Sequence, residues 1–331
     1  MKMSALNIGL LIASILVLFL SVLMGPTSIG VVAAFQAIMG GGLPTDQIIL
    51  QEIRLPRSLA AYLVGAMLGL SGAAMQGLLR NPLAEPGVLG VSAVSSLFAT
   101  VSIYYGFSSL SGFILPLAAI AGAVMATLFL AMVAIRVSSV VVLILIGVGL
   151  SSFAGALMSL LMNLAPNPFS LSDMVNWMMG SVANRSFDDL ALAAPFMLLG
   201  SILLVRSSRT LSALSLGEEV ASSLGVNLPR SRLLLVLGAG LCTGASVSIA
   251  GAVGFVGIVA PHIVRRYVQY DPGKTLVPAA MLAGLILVIA DTFIRVVPTS
   301  NELKLGVVAA LIGAPIFIMI ASSRMSGGNH D

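Results

Sequence analysis

Stretches of about twenty apolar or small residues recur from one end of this 331-residue chain to the other. Crossing a bilayer core of ~30 Å takes a helix of about twenty such residues, because a backbone in lipid must satisfy its own hydrogen bonds. Composition supports that reading. The chain is 58% hydrophobic and 8% charged, whereas a soluble domain carries about 25% charged residues. These residues could not cover a water-facing surface. The chain therefore reads as an all-α polytopic membrane protein.

Ten spans are expected, over roughly 5–25, 58–78, 88–106, 113–135, 140–162, 187–206, 231–250, 256–268, 275–297 and 304–323. The eighth is short and is expected to be broken or partly re-entrant. Two further segments, 31–39 and 170–180, are too short to cross and are assigned to the interface, with Trp177 suited to the headgroup layer. Lys2 precedes an apolar run from Leu6 to Met24 that is too long for an ordinary signal peptide and lacks a cleavage site, so an uncleaved first span is expected. The net charge of +4 comes without a basic run and gives no reason to expect nucleic-acid binding. Cys242 is the chain's single cysteine and cannot form an intramolecular disulfide.

Basic residues set the orientation. With a cytoplasmic N-terminus, the inside carries Lys2, Arg80, Arg136, Arg206, Arg209, Arg230, Arg232, Arg265, Arg266, Lys274 and Arg324. The outside carries Arg54, Arg57, Arg185, Arg295 and Lys304. Eleven against five follows the positive-inside rule and places both termini in the cytoplasm. Arg54, Arg57 and Arg295 then stand at the outer ends of their spans, against the trend. They could snorkel to headgroups, Arg295 could pair with Asp291 one turn earlier, or the three could form a basic patch for an acidic docking partner.

The second span is flanked by polar clusters at both ends, Arg54 and Arg57 before it and Gln76 to Gly87 after it, and it has a copy elsewhere in the chain. Leu55-Pro56-Arg57-Ser58 recurs as Leu228-Pro229-Arg230-Ser231, and carrying that offset on gives seven identities over the fourteen positions 55–68. The two copies are five spans apart and run in opposite directions, which is the signature of an inverted-topology repeat. Gly65, Gly69 and Gly72, and Gly147, Gly149 and Gly155 in the fifth span, are expected to bring helix backbones close together.

No enzyme site is visible. Gly273-Lys274-Thr275 ends like a phosphate-binding loop, but Val268 stands where the upstream glycine is required. The glycines at 238, 240 and 244 lie inside a span, so they do not form a dinucleotide loop, and His262 has no metal-ligand companions. No metal or cofactor is expected on this chain. Asp291 is the main charge deep in a span, and the scarcity of such residues argues for energy supplied from elsewhere. In the longest cytoplasmic loop, 207–230, Leu216-Gly217-Glu218-Glu219 reads as a helix start with acidic residues in the first turn. Val220, Leu224 and Val226 give that helix an apolar face and Gly225 a stop, so it could lie at the interface or fit a groove on a cytoplasmic partner.

RLPR at 54–57, QGLLRNPLAEPGVLG at 76–90, SLGEEVASSLGV at 215–226, GFVGIVAPHIVRR at 254–266 and ELKLGVVAALIGAPIFI at 302–318 together resemble one family. It is the FecCD-type permease subunits of type II ABC importers for iron-siderophores, haem and cobalamin. The resemblance spans nearly the whole chain. It implies a BtuC-like ABC permease fold in a single transmembrane domain over 1–331, with repeat halves near 52–162 and 225–323 and a coupling loop at 207–230.

It also implies partners. These are a second permease copy, alike or different, two cytoplasmic ATPase subunits that use ATP-Mg, and a periplasmic or surface-anchored substrate-binding protein, all at a bacterial inner membrane. By the same resemblance, Arg54, Arg57 and Arg295 would dock the binding protein. Asn81 and Leu83 would form a cytoplasmic gate, with Ser139 and Leu143 a second one. Leu216, Gly217, Glu218, Glu219, Ala221, Leu224 and Gly225, with His262 and Arg265, would meet the ATPase. Lys304 departs from the family, which often has proline there. Iron-siderophore is the first substrate expectation, ahead of haem and cobalamin. The competing class is an ion-coupled secondary transporter depending on Asp291, and a scaffold without transport is the third.

Overall fold

The structure, a computed structural model, describes residues 5–137, 139–297 and 302–326. Lys2 lies outside the described residues, as does the side chain of Arg324. Among the described residues the chain is all α-helical apart from turns and short 3-10 and π segments. Helices stand at all ten expected positions: α1 (Ala5–Leu23), α2 (Leu55–Leu79), α3 (Val91–Tyr104), α4 (Ile114–Arg136), α5 (Val140–Asn163), α6 (Phe187–Arg206), α7 (Leu228–Ala250), α8 (Val256–Arg265), α9 (Pro272–Val296) and α10 (Leu305–Ser326). Among the described residues seven are long and apolar enough to cross a membrane, α2 being counted with the helical segment before it. α10, taken over Leu305–Met319, the 14 residues of α3 and the 10 of α8 fall short, the last two following a non-helical or 3-10 lead-in over 80–90 or 251–255. The broken eighth span is as expected, and the third shares the same construction.

Local chemistry sets the ends. α2 and α7 each open on Leu-Pro, where the missing proline N–H costs nothing. The Asn227 side chain accepts from the Arg230 N–H to cap α7, and Ser186 with Asp189 forms a capping box on α6. α2 ends where Arg80 enters the left-handed region at φ 48°. One boundary differs from expectation. Helical structure runs back from α2 to Pro44 through a π segment, Ile48–Arg54, so one 36-residue apolar element replaces a span starting near 58.

Small residues determine the closest packing. A Cβ built on Gly65 would stand 2.4 Å from the Ala283 carbonyl, and one on Gly69 2.6 Å from that of Ala279, so α2 and α9 run antiparallel in backbone contact. α7 lies against α4 in the same manner, Gly240 meeting Thr127 and Gly244 meeting Ala123. The sequence repeat lies in α2 and α7, the two helices that make these pairings. α2 and α7 also cross antiparallel, with Ser71 bonded to Thr243 at 3.3 Å and the Val64 carbonyl accepting from Ser246 at 3.5 Å.

The core is stacked in two halves along α2, α7 and α9. One contains Leu70, Leu78, Leu235 and Leu276, and the other Ala60, Ile249, Leu287 and Ile294. By contrast α1, α5 and α10 keep large apolar side chains outward, among them Ile15, Leu145, Phe153 and Leu311. Lipid or another protein must cover such surfaces. Within α5, Gly147 packs on Val88 and Leu89 as expected, but Gly149 and Gly155 face open space.

The two interfacial segments are helices, Val31–Ile38 and Pro168–Met179. Val32 and Phe35 of the first are exposed. Trp177 of the second is not exposed. It is buried with Ala99, Ile103, Ala119 and Met174, and the Arg185 guanidinium lies 5.8 Å from its ring. Packing between α3 and α4 claims the indole.

Candidate functional site

The N-terminal end of α2 carries a recessed ion cluster. Arg54 is only 3% exposed, and its guanidinium donates to the carbonyls of Val22 (3.3 Å), Leu23 (2.7 Å) and Thr27 (2.5 Å). Those carbonyls lie at and just past the C-terminal end of α1, where a helix has no acceptor partners of its own. Arg54 therefore closes α1, a structural task the docking expectation did not include.

Arg57 grips Asp291 with two nitrogens, Nη2 at 2.7 Å and Nε at 2.9 Å from Oδ1. Arg295 forms an ion pair with the other oxygen, Oδ2, at 3.1 Å and reaches Ser21 and Ser58. Asp291 is 1% exposed, so one buried carboxylate is shared by two guanidiniums. Arg57 also bonds Glu302, which precedes α10. The expected Arg295–Asp291 pair is present; Arg57 as its third member was not foreseen. Arg54, Arg57, Arg295 and Glu302 all line one cavity of about 610 Å³.

At the other end of α2 the chain turns through Asn81 and Leu83. The Asn81 Oδ1 accepts from the Leu83 N–H at 3.0 Å, an Asx turn that holds the loop. Asn81 is exposed and Leu83 half-buried. Arg265, at the end of α8, donates to the Pro82 carbonyl at 3.4 Å and contacts His262 Nδ1 at 2.5 Å. Gln76, Arg80, Pro82, Ser215, Arg265 and Tyr270 surround a cavity of about 220 Å³. The Asn81–Leu83 loop and the Pro261–Arg265 region, noted separately in the sequence, are thus one site.

The second expected gate divides. Ser139 is exposed ahead of α5, but Leu143 is 1% exposed inside the core cluster. Packing occupies the Leu143 side chain, and it does not line an open path in this chain.

Glu85 escaped sequence reasoning. Its Oε1 accepts from the Phe255 N–H at 2.8 Å, joining the lead-in of α3 to that of α8. Phe255 has φ +66°, a left-handed conformation unusual for a bulky residue. A lone carboxylate between Pro82 and Pro86 was the available signal.

The coupling loop contains the expected helix, Glu218–Ser223. It ends in a Schellman arrangement, with the Val226 N–H on the Ala221 carbonyl, the Gly225 N–H on that of Ser222, and Gly225 at φ +85°. Glu218 and Glu219 have separate tasks. Glu218 bonds the buried Arg232 of α7 at 2.8 Å, and Arg232 also reaches the Val137 carbonyl, while Glu219 is exposed. Ala221 is buried, and Val226 packs on the core instead of joining an outward face. Leu216, Val220 and Leu224 point out, with Gly217 at φ +109° turning the chain into the helix.

The preceding helix, Ser208–Leu214, is tied to α9 through the Ser212 hydroxyl and Asp271 at 2.5 Å. Burial alone would raise the Asp271 carboxyl. Hydrogen bonds from Ser212 and the N–H groups of Lys274 and Gly273 outweigh it and hold the group below its ordinary range.

Residues 11–323 match the FecCD transport family. The chain belongs to that family. It is 39% identical over 299 residues to an uncharacterized ABC transporter permease protein, YvrB, of Bacillus subtilis, covering 89% of this chain and 84% of the relative. It is 42% identical over 275 residues to the vitamin B12 import system permease protein BtuC of Salmonella typhi, with 83% of each chain covered. Among solved structures, a metal-chelate type ABC transporter in an inward-facing conformation matches with a TM-score of 0.85 and 30% identity, over 96% of this chain and 98% of that one. This FecCD protein is therefore a multi-pass ABC transporter permease with a BtuC-like fold. It is a transport subunit, and ATP hydrolysis belongs to a separate ATPase.

Proposed function

We propose that this FecCD permease imports a bulky metal chelate, of the iron-siderophore, haem or cobalamin kind, across a bacterial inner membrane with both termini cytoplasmic. A second permease copy completes the pathway, two ATPase subunits bind the cytoplasmic face, and a binding protein delivers substrate outside. The likeness to a vitamin B12 permease and to a metal-chelate transporter supports the substrate class. The outward apolar surface of α5 is available to a second copy.

One observation carries the coupling role. The Glu218–Ser223 helix is fixed to α7 by the Glu218–Arg232 pair, and Leu216, Val220 and Leu224 remain exposed. A rigid block with three free apolar side chains suits a groove on a moving partner. The Asn81–Leu83 loop and Arg265 lie on the same cytoplasmic side, where movement of that block can open a gate. Alternating access then follows ATP binding and hydrolysis below. A secondary carrier would need Asp291 to exchange ions or protons, but two guanidiniums already hold that carboxylate.

Proteoliposomes carrying the chain with and without its ATPase provide the test. Uptake is expected only with the ATPase, the binding protein and ATP, and ATP-independent uptake would overturn the reading. The double variant Leu216→Asp/Leu224→Asp is expected to weaken ATPase association about tenfold or more, as loss of central apolar anchors does. Unchanged association would remove the coupling assignment.

A further inference from the structure

The outer cluster sets three guanidiniums against two carboxylates, and the carboxylates differ in kind. Asp291 is enclosed within α9 and bridges Arg57 to Arg295. Glu302 belongs to the segment entering α10, its side chain is 40% exposed, and it meets the same Arg57 from the cavity side. Arg54 and Arg295 direct donors inward to α1 carbonyls and to the hydroxyls of Ser21 and Ser58. Arg57 keeps the greater exposure, 11% of its side chain against 5% for Arg295.

We propose that Glu302 is a placeholder. In the resting permease it holds the seat on Arg57 that a carboxylate of the substrate-binding protein takes on docking. Docking is then an exchange of one carboxylate for another. This rests on the reading of the outer face as the docking surface, and it changes which residues do the work. Arg54 closes α1, Asp291 fixes the platform, and Arg57 with Glu302 forms the exchangeable contact.

Three features favour exchange. A half-exposed ion pair contributes little and is easily replaced, whereas the buried Asp291 bridge is not. The cluster carries one surplus positive charge, which draws an incoming carboxylate. The cavity of about 610 Å³ beside Glu302 has room for that side chain. When the partner leaves, Glu302 returns to its seat on Arg57, so release stays fast.

The experiment uses the complete importer in nanodiscs and fluorescently labelled substrate-binding protein of the same importer. Glu302→Gln is expected to tighten binding about fivefold, equivalent to ~1 kcal/mol at 1.4 kcal/mol per decade. Asp188→Asn removes an exposed carboxylate at the start of α6 and changes net charge equally, and it is expected to leave binding nearly unchanged. Arg57→Lys keeps the charge but has no fork of donors to hold Asp291 and a docking carboxylate together, and it is expected to weaken binding.

If Glu302→Gln leaves binding unchanged or weakens it while Arg57→Lys weakens it, the placeholder is overturned and docking at Arg57 stands. Equal tightening by Glu302→Gln and Asp188→Asn also overturns it, because the long-range field then accounts for the gain. If neither Arg57→Lys nor Glu302→Gln alters binding, the docking reading itself falls.

Discussion

Asp291→Ala is expected to destabilise the permease by about 3–5 kcal/mol, the cost of leaving buried charges without their partner. Asp291 is 1% exposed and holds Arg57 of α2 and Arg295 of its own helix. Removing it leaves two guanidiniums close together with only Glu302 nearby, so repulsion joins the desolvation cost. Ser21 and Ser58 still bond Arg295, and the Val22 and Leu23 carbonyls still bond Arg54, but neutral acceptors do not cancel charge. Asp291→Asn keeps the volume and one acceptor oxygen and should fall between wild type and alanine. Glu302→Gln, at the exposed rim, should cost no more than ~1 kcal/mol. Thermal unfolding of purified protein in detergent measures the series. An Asp291→Ala midpoint equal to that of Glu302→Gln would show that the cluster is not what binds α1, α2 and α9 at their outer ends.

The same cluster shows how far the sequence could be read. Arg295 and Asp291 stand one helical turn apart, so their pairing was visible as a spacing. Arg57 is 234 residues from Asp291, and only the folding of α2 against α9 joins them. Arg54 had no local sign of its role, because its acceptors are the last carbonyls of a helix some thirty residues earlier. Local and periodic features were readable: the helix positions, the repeated LPRS segment, and the 218–223 helix with its glycine stop. Features set by partners distant in sequence were not. Trp177, Leu143 and Val226 turned out to be core because neighbouring elements cover them, and an apolar run does not say which face will be covered. Nor does a lone Glu85 reveal that a backbone N–H 170 residues later will claim it.

Gly72→Ala carries the second large expected effect. A Cβ there would lie 2.0 Å from the Gly257 carbonyl oxygen and within 3 Å of its carbonyl carbon and Cα. All three are backbone atoms of α8, so no side chain can rotate away. The helix itself cannot retreat freely. Gln76 reaches the Ile258 carbonyl at 3.4 Å, Glu85 holds the Phe255 N–H, and Arg265 reaches Pro82. The methyl must push α8 from α2 against these bonds. A loss of about 2–3 kcal/mol follows, at the upper end of overpacking costs, despite a gain of ~1 kcal/mol in helix propensity. Because Arg265 of α8 bonds the Asn81–Leu83 loop at the Pro82 carbonyl, uptake should fall further than stability does. Gly149→Ala is the matched control. Its Cβ meets nothing within 4 Å, so within one chain only the propensity gain remains. Unfolding midpoints and uptake per folded protein separate the two effects. If Gly72→Ala matches Gly149→Ala in both, α2 and α8 slide past each other with slack, and their contact cannot set the gate.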